Sequence, residues 1–526
     1  MSTKHTNFVS GEQETLIGSD EGSALLSSSN NNNSYPIHHQ DDATPRSFRE
    51  HAQWIIHKSI PIVTTSLLHQ AVKWIVIIIA GHLGSAELGA IAIAHVFENL
   101  STKLVSWSLR SSLGTLCSQA WTGAKDRTLL GIYLQRGYVL FGIMCMPIAI
   151  LWMGSGYIFE WLKQDPEVAQ STRIYLMVQF PGFVAHGCYV LLMAYLQAQG
   201  IMRATAYILA IAVPFNALST YILVNCLGMG IAGISLSLSI NYIFTFGLLV
   251  LYTAKIEGYE GWGGWSKQES FKDLGTILDL FWPSSFSAIW TIGAQAVITF
   301  SVSYLGKNEL AAQAILLRTS LTLFALGRGF QNALANRVGN YLGHGSPRDA
   351  RRAFSVASML AFVFGIVSSI GLMACRHSYS YLFTSDEEVA QAVSTVIPIF
   401  ALSQTVNMFR ALSTGVLQGL GRQKVTAITS FISYFIISIP LCYVFAFTLR
   451  GGLFGLWAGQ SVGYLVYTLI QTLYILLKVN WSVESQRAQK RIEANQKKFE
   501  TPTLSSSSAS PEERYGAIIT DSERQQ

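Results

Sequence analysis

GHLGSAELGAIAI, residues 81–93, returns as SYLGKNELAAQAI at residues 303–315, an offset of 222. EVAQ from Glu167 recurs from Glu388 at an offset of 221, and LQAQG ending at Gly200 lines up with LQGLG ending at Gly421, again at 221. Pro61 lines up with Pro283 at 222. Four matches at nearly one spacing read as an internal duplication. Apolar stretches of roughly 20 residues, each long enough to cross about 30 Å of hydrocarbon as a helix, fill the repeated region. Twelve occur, near 60–80, 88–113, 131–153, 171–197, 203–225, 232–254, 277–304, 310–335, 353–374, 389–416, 425–447 and 452–477. The repeat unit is therefore six helices. Six is even, so both copies enter the bilayer from the same side. That predicts an all-α integral membrane protein with two parallel six-helix lobes, a pseudo-two-fold axis along the membrane normal and a cavity between them, the layout of an alternating-access carrier.

Composition agrees. Of 526 residues, 50% are hydrophobic and 13% charged, about half the charge of a soluble domain. A third of those charges lie in the first 50 and last 42 positions. A soluble enzyme, a nucleic-acid binder and a disulfide scaffold are all disfavoured. The six cysteines fall in or beside apolar segments without metal-ligand spacing, and read as reduced small hydrophobes with no metal or cofactor. Lys and Arg favour the loops on the N-terminal side by about two to one, which puts both termini in the cytoplasm. The predicted organisation is a disordered N-tail (1–57), an N-lobe (58–254), an inter-lobe linker (255–276), a C-lobe (277–480) and a polar C-tail (481–526), unpacked from about residue 485. A basic stretch from Arg487 is read as a membrane-surface or solvated helix.

The repeated segments also carry a family pattern. TLCSQAWTGAKD from Thr115, GIYLQR from Gly131, GWSKQESFKDL from Gly264, ANRVGNYLGHG from Ala335 and GVLQGLGRQK from Gly415 occur in order inside the twelve-helix frame. In these stretches the chain resembles the multidrug and toxic compound extrusion (MATE) transporters, in their eukaryotic form, from about residue 58 to 480. The resemblance implies proton- or sodium-driven export of organic, often cationic, compounds, by a protein that is not an enzyme. Glycines of GHLG and RVGNYLG read as structural, marking helix ends or close backbone approach.

The same resemblance implies two acids on the seventh helix and one on the tenth. Here those positions hold Thr291, Ala296 and Asn407, none of which takes up a proton at a useful pH. Ionisable residues lie instead in the N-lobe. His69 and Lys73 are four apart, His95 and Glu98 three apart, and each pair shares a helix face. His186 lies midway along the fourth segment. A charge at bilayer depth costs roughly 3 kcal/mol or more unless paired or wet, so Lys73 is expected to pair with Glu98, with the histidines titrating nearby. The alternative is a purely structural ion pair. Asn216 is a polar-network candidate. Trp290, Thr291, Gln295 and Asn407 are candidates for lining the cavity. Arg110 and Arg328, toward helix ends, are read as snorkelling, and Arg203 and Arg337 as cations at the headgroups.

The expected partners are the lipid bilayer, a small organic solute and a proton or sodium ion, with the chain a monomer that binds no nucleic acid. Two acidic di-leucine patterns, Glu12 with Leu16 and Ile17, and Glu21 with Leu25 and Leu26, fit sorting adaptors, and YGAI from Tyr515 fits a tyrosine-based signal. They leave a vacuolar or endosomal membrane and the plasma membrane both open. Rival readings are a lipid or metabolite carrier of the wider superfamily, a major-facilitator carrier, and a sensor that has lost its coupling acids.

Overall fold

The computed structural model describes residues 48–83, 85–161, 166–302, 304–383 and 386–507. The sorting candidates in both tails lie outside these residues. Every regular element among the described residues is helical. Eleven helices among the described residues are long and apolar enough to cross a membrane, one fewer than the twelve expected, the segment 85–123 being the exception. The N-lobe holds α1 Phe48–Leu83, α2 (residues 85–123, two α-helical stretches joined by a π turn), α3 Leu129–Met153, α4 Pro166–Ala198, α5 Arg203–Cys226 and α6 Gly230–Lys255. The C-lobe holds α7 Gly275–Val302, α8 Lys307–Gly343, α9 Pro347–Ala374, α10 Glu387–Gly419, α11 Gln423–Thr448 and α12 Gly452–Leu477. A last helix, α13, runs Trp481–Ser507.

The duplication extends to helix lengths. α4 and α10 have 33 residues each, and α6 and α12 have 26 each. Five-residue π turns, Ile222–Cys226 and Val444–Thr448, close α5 and α11 at equivalent positions. Pro61 and Pro283 both sit inside helices. Membrane helices tolerate such breaks where neighbouring groups satisfy the backbone; one turn on, Thr65 Oγ1 donates to the Pro61 carbonyl at 2.8 Å.

Lipid-facing helices are built with small residues inward and large ones outward. On α9, Ala353, Ala357, Ala361 and Gly365 are buried, while Phe362, Val363, Val367 and Ile370 are half or more exposed. Small residues allow close backbone approach where lipid supplies no hydrophobic drive between helices. All six thiols are unpaired.

The linker is strapped to the N-lobe. Gln135 Nε2 donates to the Gly264 carbonyl at 2.6 Å, and Gln135 Oε1 accepts from Ser266 N and Ser270 Oγ. Arg136 Nε donates to the Glu269 carbonyl at 3.0 Å and pairs with its carboxylate, both side chains being buried. Two of the repeated-family stretches, GIYLQR and GWSKQESFKDL, thus recognise each other.

Two tail expectations change. α1 begins at Phe48, ten residues before the expected lobe boundary. The C-tail is not unpacked from residue 485: α13 docks on the face of the bundle that carries the start of α1, here the tail face. Ala488 and Ile492, one helical turn apart, are buried against both lobes. Ser485 Oγ donates to the Leu342 carbonyl of α8 at 3.0 Å, Glu484 pairs with Arg422, and Arg491 Nη1 donates to Gln119 Oε1 of α2 at 2.9 Å.

Candidate transport site at the inter-lobe seam

Toward the tail face the lobes are zipped together. Thr115 Oγ1 donates to the Gln418 carbonyl at 2.6 Å, Gln119 Nε2 to the Gly419 carbonyl at 2.9 Å, and Thr122 Oγ1 to the Asn340 carbonyl at 2.6 Å. Glycines make this approach possible. A Cβ on Gly339 would meet Ser118 Oγ at 2.0 Å, and one on Gly343 would meet the Gln119 carbonyl at 2.1 Å. Gly339 and Gly343 are therefore points of close backbone approach between lobes, while Gly345, at a φ of +84°, follows the end of α8.

Directly inside this zipper lies a polar niche of about 10 Å³, lined by Arg110, Gly114, Gln197, Asn332, Asn336 and Gln418, with room for about one water. Arg110 donates through Nη2 to Gln197 Oε1 at 2.9 Å and through Nη1 to Asn332 Oδ1 at 3.4 Å. Gly114 and Asn336 are repeat equivalents, as are Gln197 and Gln418. The niche thus sits on the pseudo-two-fold axis.

In the N-lobe, the structure brings the histidines together around tyrosines. His69 on α1 and His186 on α4 meet edge to face, with ring centroids 5.6 Å apart. Tyr242 of α6 lies 4.5 Å from His186, and Tyr189 lies 5.7 Å from His69. His95 is 6.2 Å from Tyr175. Glu98 is buried, within electrostatic reach of Tyr175 and Tyr242. A π turn, Asn99–Lys103, begins directly after it; such turns are frequent at functional sites. Tyr189 in turn lies within electrostatic reach of Arg110. His69, His186, Tyr189 and Tyr242 therefore form one ring cluster in the N-lobe, with the buried Glu98 and the seam residue Arg110 in its electrostatic surroundings. The Tyr175 and Tyr189 hydroxyls are buried without a hydrogen-bond partner in the structure, so bridging water is the natural way to satisfy them. Lys73 is half-buried on α1, one turn beyond His69. Asn216 belongs to a separate knot, donating to Ser237 Oγ at 3.3 Å, with Ser219 and Thr220 also bonded to that hydroxyl.

In the C-lobe, Asn407 is buried and its Oδ1 accepts from Arg410 Nε at 2.8 Å. Arg410, absent from the sequence-derived candidates, lies over Phe324 at 4.6 Å and beside Tyr464 and Tyr467. Gln295 accepts from Gln460 Nε2 at 3.0 Å, which also bonds Tyr464. Thr291 Oγ1 turns back onto the Ser287 carbonyl of its own helix. Trp290 packs among Phe286, Phe431 and Phe435, which occupies its faces. An arginine one turn from Asn407 was detectable as a charge inside an apolar segment; the tyrosines carried no such signal.

Three arginine expectations are corrected. Arg110 turns into the seam instead of snorkelling. Arg328 lies over Trp107 of the opposite lobe, at 5.3 Å from the ring centroid. Arg337 is buried between Trp54 and Tyr341, at 4.3 and 4.4 Å from their ring centroids. In each case an aromatic face or amide within the bundle offers the cation more than the long reach to the surface.

Comparison with known proteins gives a consistent result. The MatE family model matches residues 61–222 and 283–444, one copy per lobe. Multidrug and toxin extrusion protein 1 of Homo sapiens is 31% identical over 468 residues, covering 89% of this chain and 81% of the relative. An uncharacterized transporter of Schizosaccharomyces pombe is 30% identical over 444 residues, covering 84% and 82%. Among solved structures, the eukaryotic MATE transporter AtDTX14 superposes with a TM-score of 0.77 at 26% identity, covering 85% of this chain and 99% of that one. The Vibrio cholerae MATE transporter VcmN shares the fold, with a TM-score of 0.75 at 17% identity.

Proposed function

The chain belongs to the MatE family of multi-pass membrane transporters, and we propose that it is a secondary antiporter exporting small organic solutes from the cytoplasm in exchange for protons. The observation that carries this reading is a buried carboxylate, Glu98, in the same lobe as the His69, His186, Tyr189 and Tyr242 cluster, beside a seam between two lobes that are zipped at one face. Protonation of a buried carboxylate changes the local charge by one unit, and the seam is where rocking lobes would feel it. The usual C-lobe acids are replaced by Thr291, Ala296 and Asn407, so coupling is assigned to the N-lobe: Glu98 as proton carrier, Lys73 as its counter-charge, His69, His95 and His186 as relay groups, and Asn216 as support for α5 and α6. Solute would enter beside Asn407 and Gln295, with Trp290 and Thr291 behind them.

The Lys and Arg bias of the loops supports cytoplasmic tails, so the zipped tail face corresponds to an outward-facing carrier. The di-leucine patterns at Leu16 and Leu25 support a vacuolar or endosomal membrane. The deciding experiment is solute flux in reconstituted vesicles with proton and sodium gradients imposed separately. Flux driven by the proton gradient alone supports the reading. Flux driven only by sodium would replace the proton, and flux indifferent to both would remove antiport.

A further inference from the structure

Three arginines stand at the seam within the apolar helices, and a fourth, Arg410, lies inside the C-lobe beside Arg328, across the ring of Phe324. Arg110 comes from the N-lobe; Arg318, Arg328 and Arg410 come from the C-lobe. Three of them reach across to the opposite lobe: Arg110 to Asn332, Arg328 to Trp107, and Arg318 to Trp74 at 5.5 Å. Arg410 and Arg328 flank one ring, that of Phe324, at 4.6 and 5.7 Å. Among the described residues none of the four forms an ion pair with a carboxylate. Arg328 and Tyr189 act electrostatically on Arg110, and Tyr434, Tyr464 and Tyr467 on Arg410. The Nε donors of Arg110 and Arg328 are buried and lack any acceptor.

This arrangement is poorly suited to a cationic guest. Each added positive charge would meet several fixed ones in a medium less polar than water, none of them ion-paired with a carboxylate among the described residues. It suits an anion. A guanidinium lying on an aromatic face keeps its edge donors free, and that edge matches a carboxylate or sulfonate in a two-pronged geometry. The same aromatic faces, Trp74 and Trp107 (both half exposed), offer stacking area for a flat ring.

We propose that the cargo is an aromatic organic anion, held between the lobes by Arg328 and Arg410 through its acidic group and by the seam tryptophans through its ring. This rests on the export reading above and assigns the charge of its substrate. A cation would draw no such site, and an unpaired arginine at this depth needs either water or an anion.

The test uses the full chain in proteoliposomes and two flat two-ring probes of opposite charge, radiolabelled naphthalene-2-sulfonate and N-methylquinolinium. The expected result is counterflow of the sulfonate at least tenfold faster than of the quinolinium. Arg328→Gln and Arg410→Gln should each lower sulfonate flux about tenfold, a loss of roughly 1.4 kcal/mol. Arg328→Lys, which keeps the charge and loses the fork, should retain part of it. If the glutamine variants fail to fold, the comparison of the two probes on the unmodified protein decides alone. Faster quinolinium flux overturns the anion assignment and leaves export standing. Movement of neither probe under either gradient overturns both.

Discussion

Arg110 donates a hydrogen bond to Asn332, the residue that occupies its own position in the second repeat, 222 residues later. A contact between repeat equivalents can occur only on the axis relating the two copies. The pair therefore ties the two lobes together at their shared axis. The pair is also asymmetric, a cation in one copy and an amide in the other, so the first lobe supplies the charge and the second the acceptor.

Replacing Arg110 by Gln should therefore leave the bundle folded but lower transport about tenfold. The buried polar niche would lose its cation and leave Gln197 Oε1 without its donor, a change worth about 1–3 kcal/mol. Asn332→Ala should cost less, because Arg110 keeps Gln197. Initial rates in vesicles, with monodispersity checked by size-exclusion chromatography, measure the difference. Equal losses in both variants would remove the asymmetry.

The zipper makes a second prediction. Gly339→Val places a branched side chain where even a Cβ meets Ser118 Oγ at 2.0 Å. The lobes cannot close around it, so the tail face should stay parted. In a cysteine-free background, Thr115→Cys should then react with a membrane-impermeant maleimide from the tail side about fivefold faster than without the glycine change. Unchanged labelling would mean that the zipper tolerates the insertion and does not set the conformation.

Glu98→Gln keeps shape and hydrogen-bonding capacity and removes the titration. Transport driven by a pH step should fall to the level of empty vesicles, while exchange of labelled for unlabelled solute at equal pH persists. Because Tyr175 and Tyr242 lie in electrostatic reach of Glu98, Tyr242→Phe should weaken the pH dependence without abolishing it. Normal pH-driven flux in Glu98→Gln would take the carboxylate out of the mechanism.

The spanning helices were legible because the bilayer allows few alternatives: about twenty apolar residues per crossing, repeated at one offset. The histidines and Glu98 were legible for the same reason, since an ionisable group stands out in such a segment. Tyr175, Tyr189 and Tyr242 were not, because a tyrosine on a membrane helix reads equally as core or lipid contact. Arg410 carried the same signal as Glu98, a charge inside an apolar segment, three residues after Asn407. The glycine zipper needed three dimensions: Gly343 and Gln119 lie in different repeats and meet only after the lobes assemble. The docking of α13 rests on a two-residue stripe, Ala488 and Ile492, too short to show in a helix that is otherwise polar.

That helix gives the last prediction. Its contacts divide between lobes, Glu484 and Ser485 holding the C-lobe while Arg491 and Ile492 hold the N-lobe. A strap of this kind stabilises only the state in which both anchor points are close, so it favours the zipped tail face. Burial pushes the Arg491 guanidinium below its ordinary value, so its charge is retained at a cost that Gln119 and Glu484 offset. Arg491→Glu reverses the charge beside the Gln119 oxygen, and should release the N-lobe end of α13. Limited proteolysis within residues 481–507 should then speed up several-fold, and the Thr115→Cys label should rise as it does for Gly339→Val. Arg491→Met, of similar size and without the charge, should keep most of the docking through Ala488 and Ile492. Faster proteolysis without a change in labelling would show α13 to be a passenger on the tail face, and a rise in both would make it part of the closure.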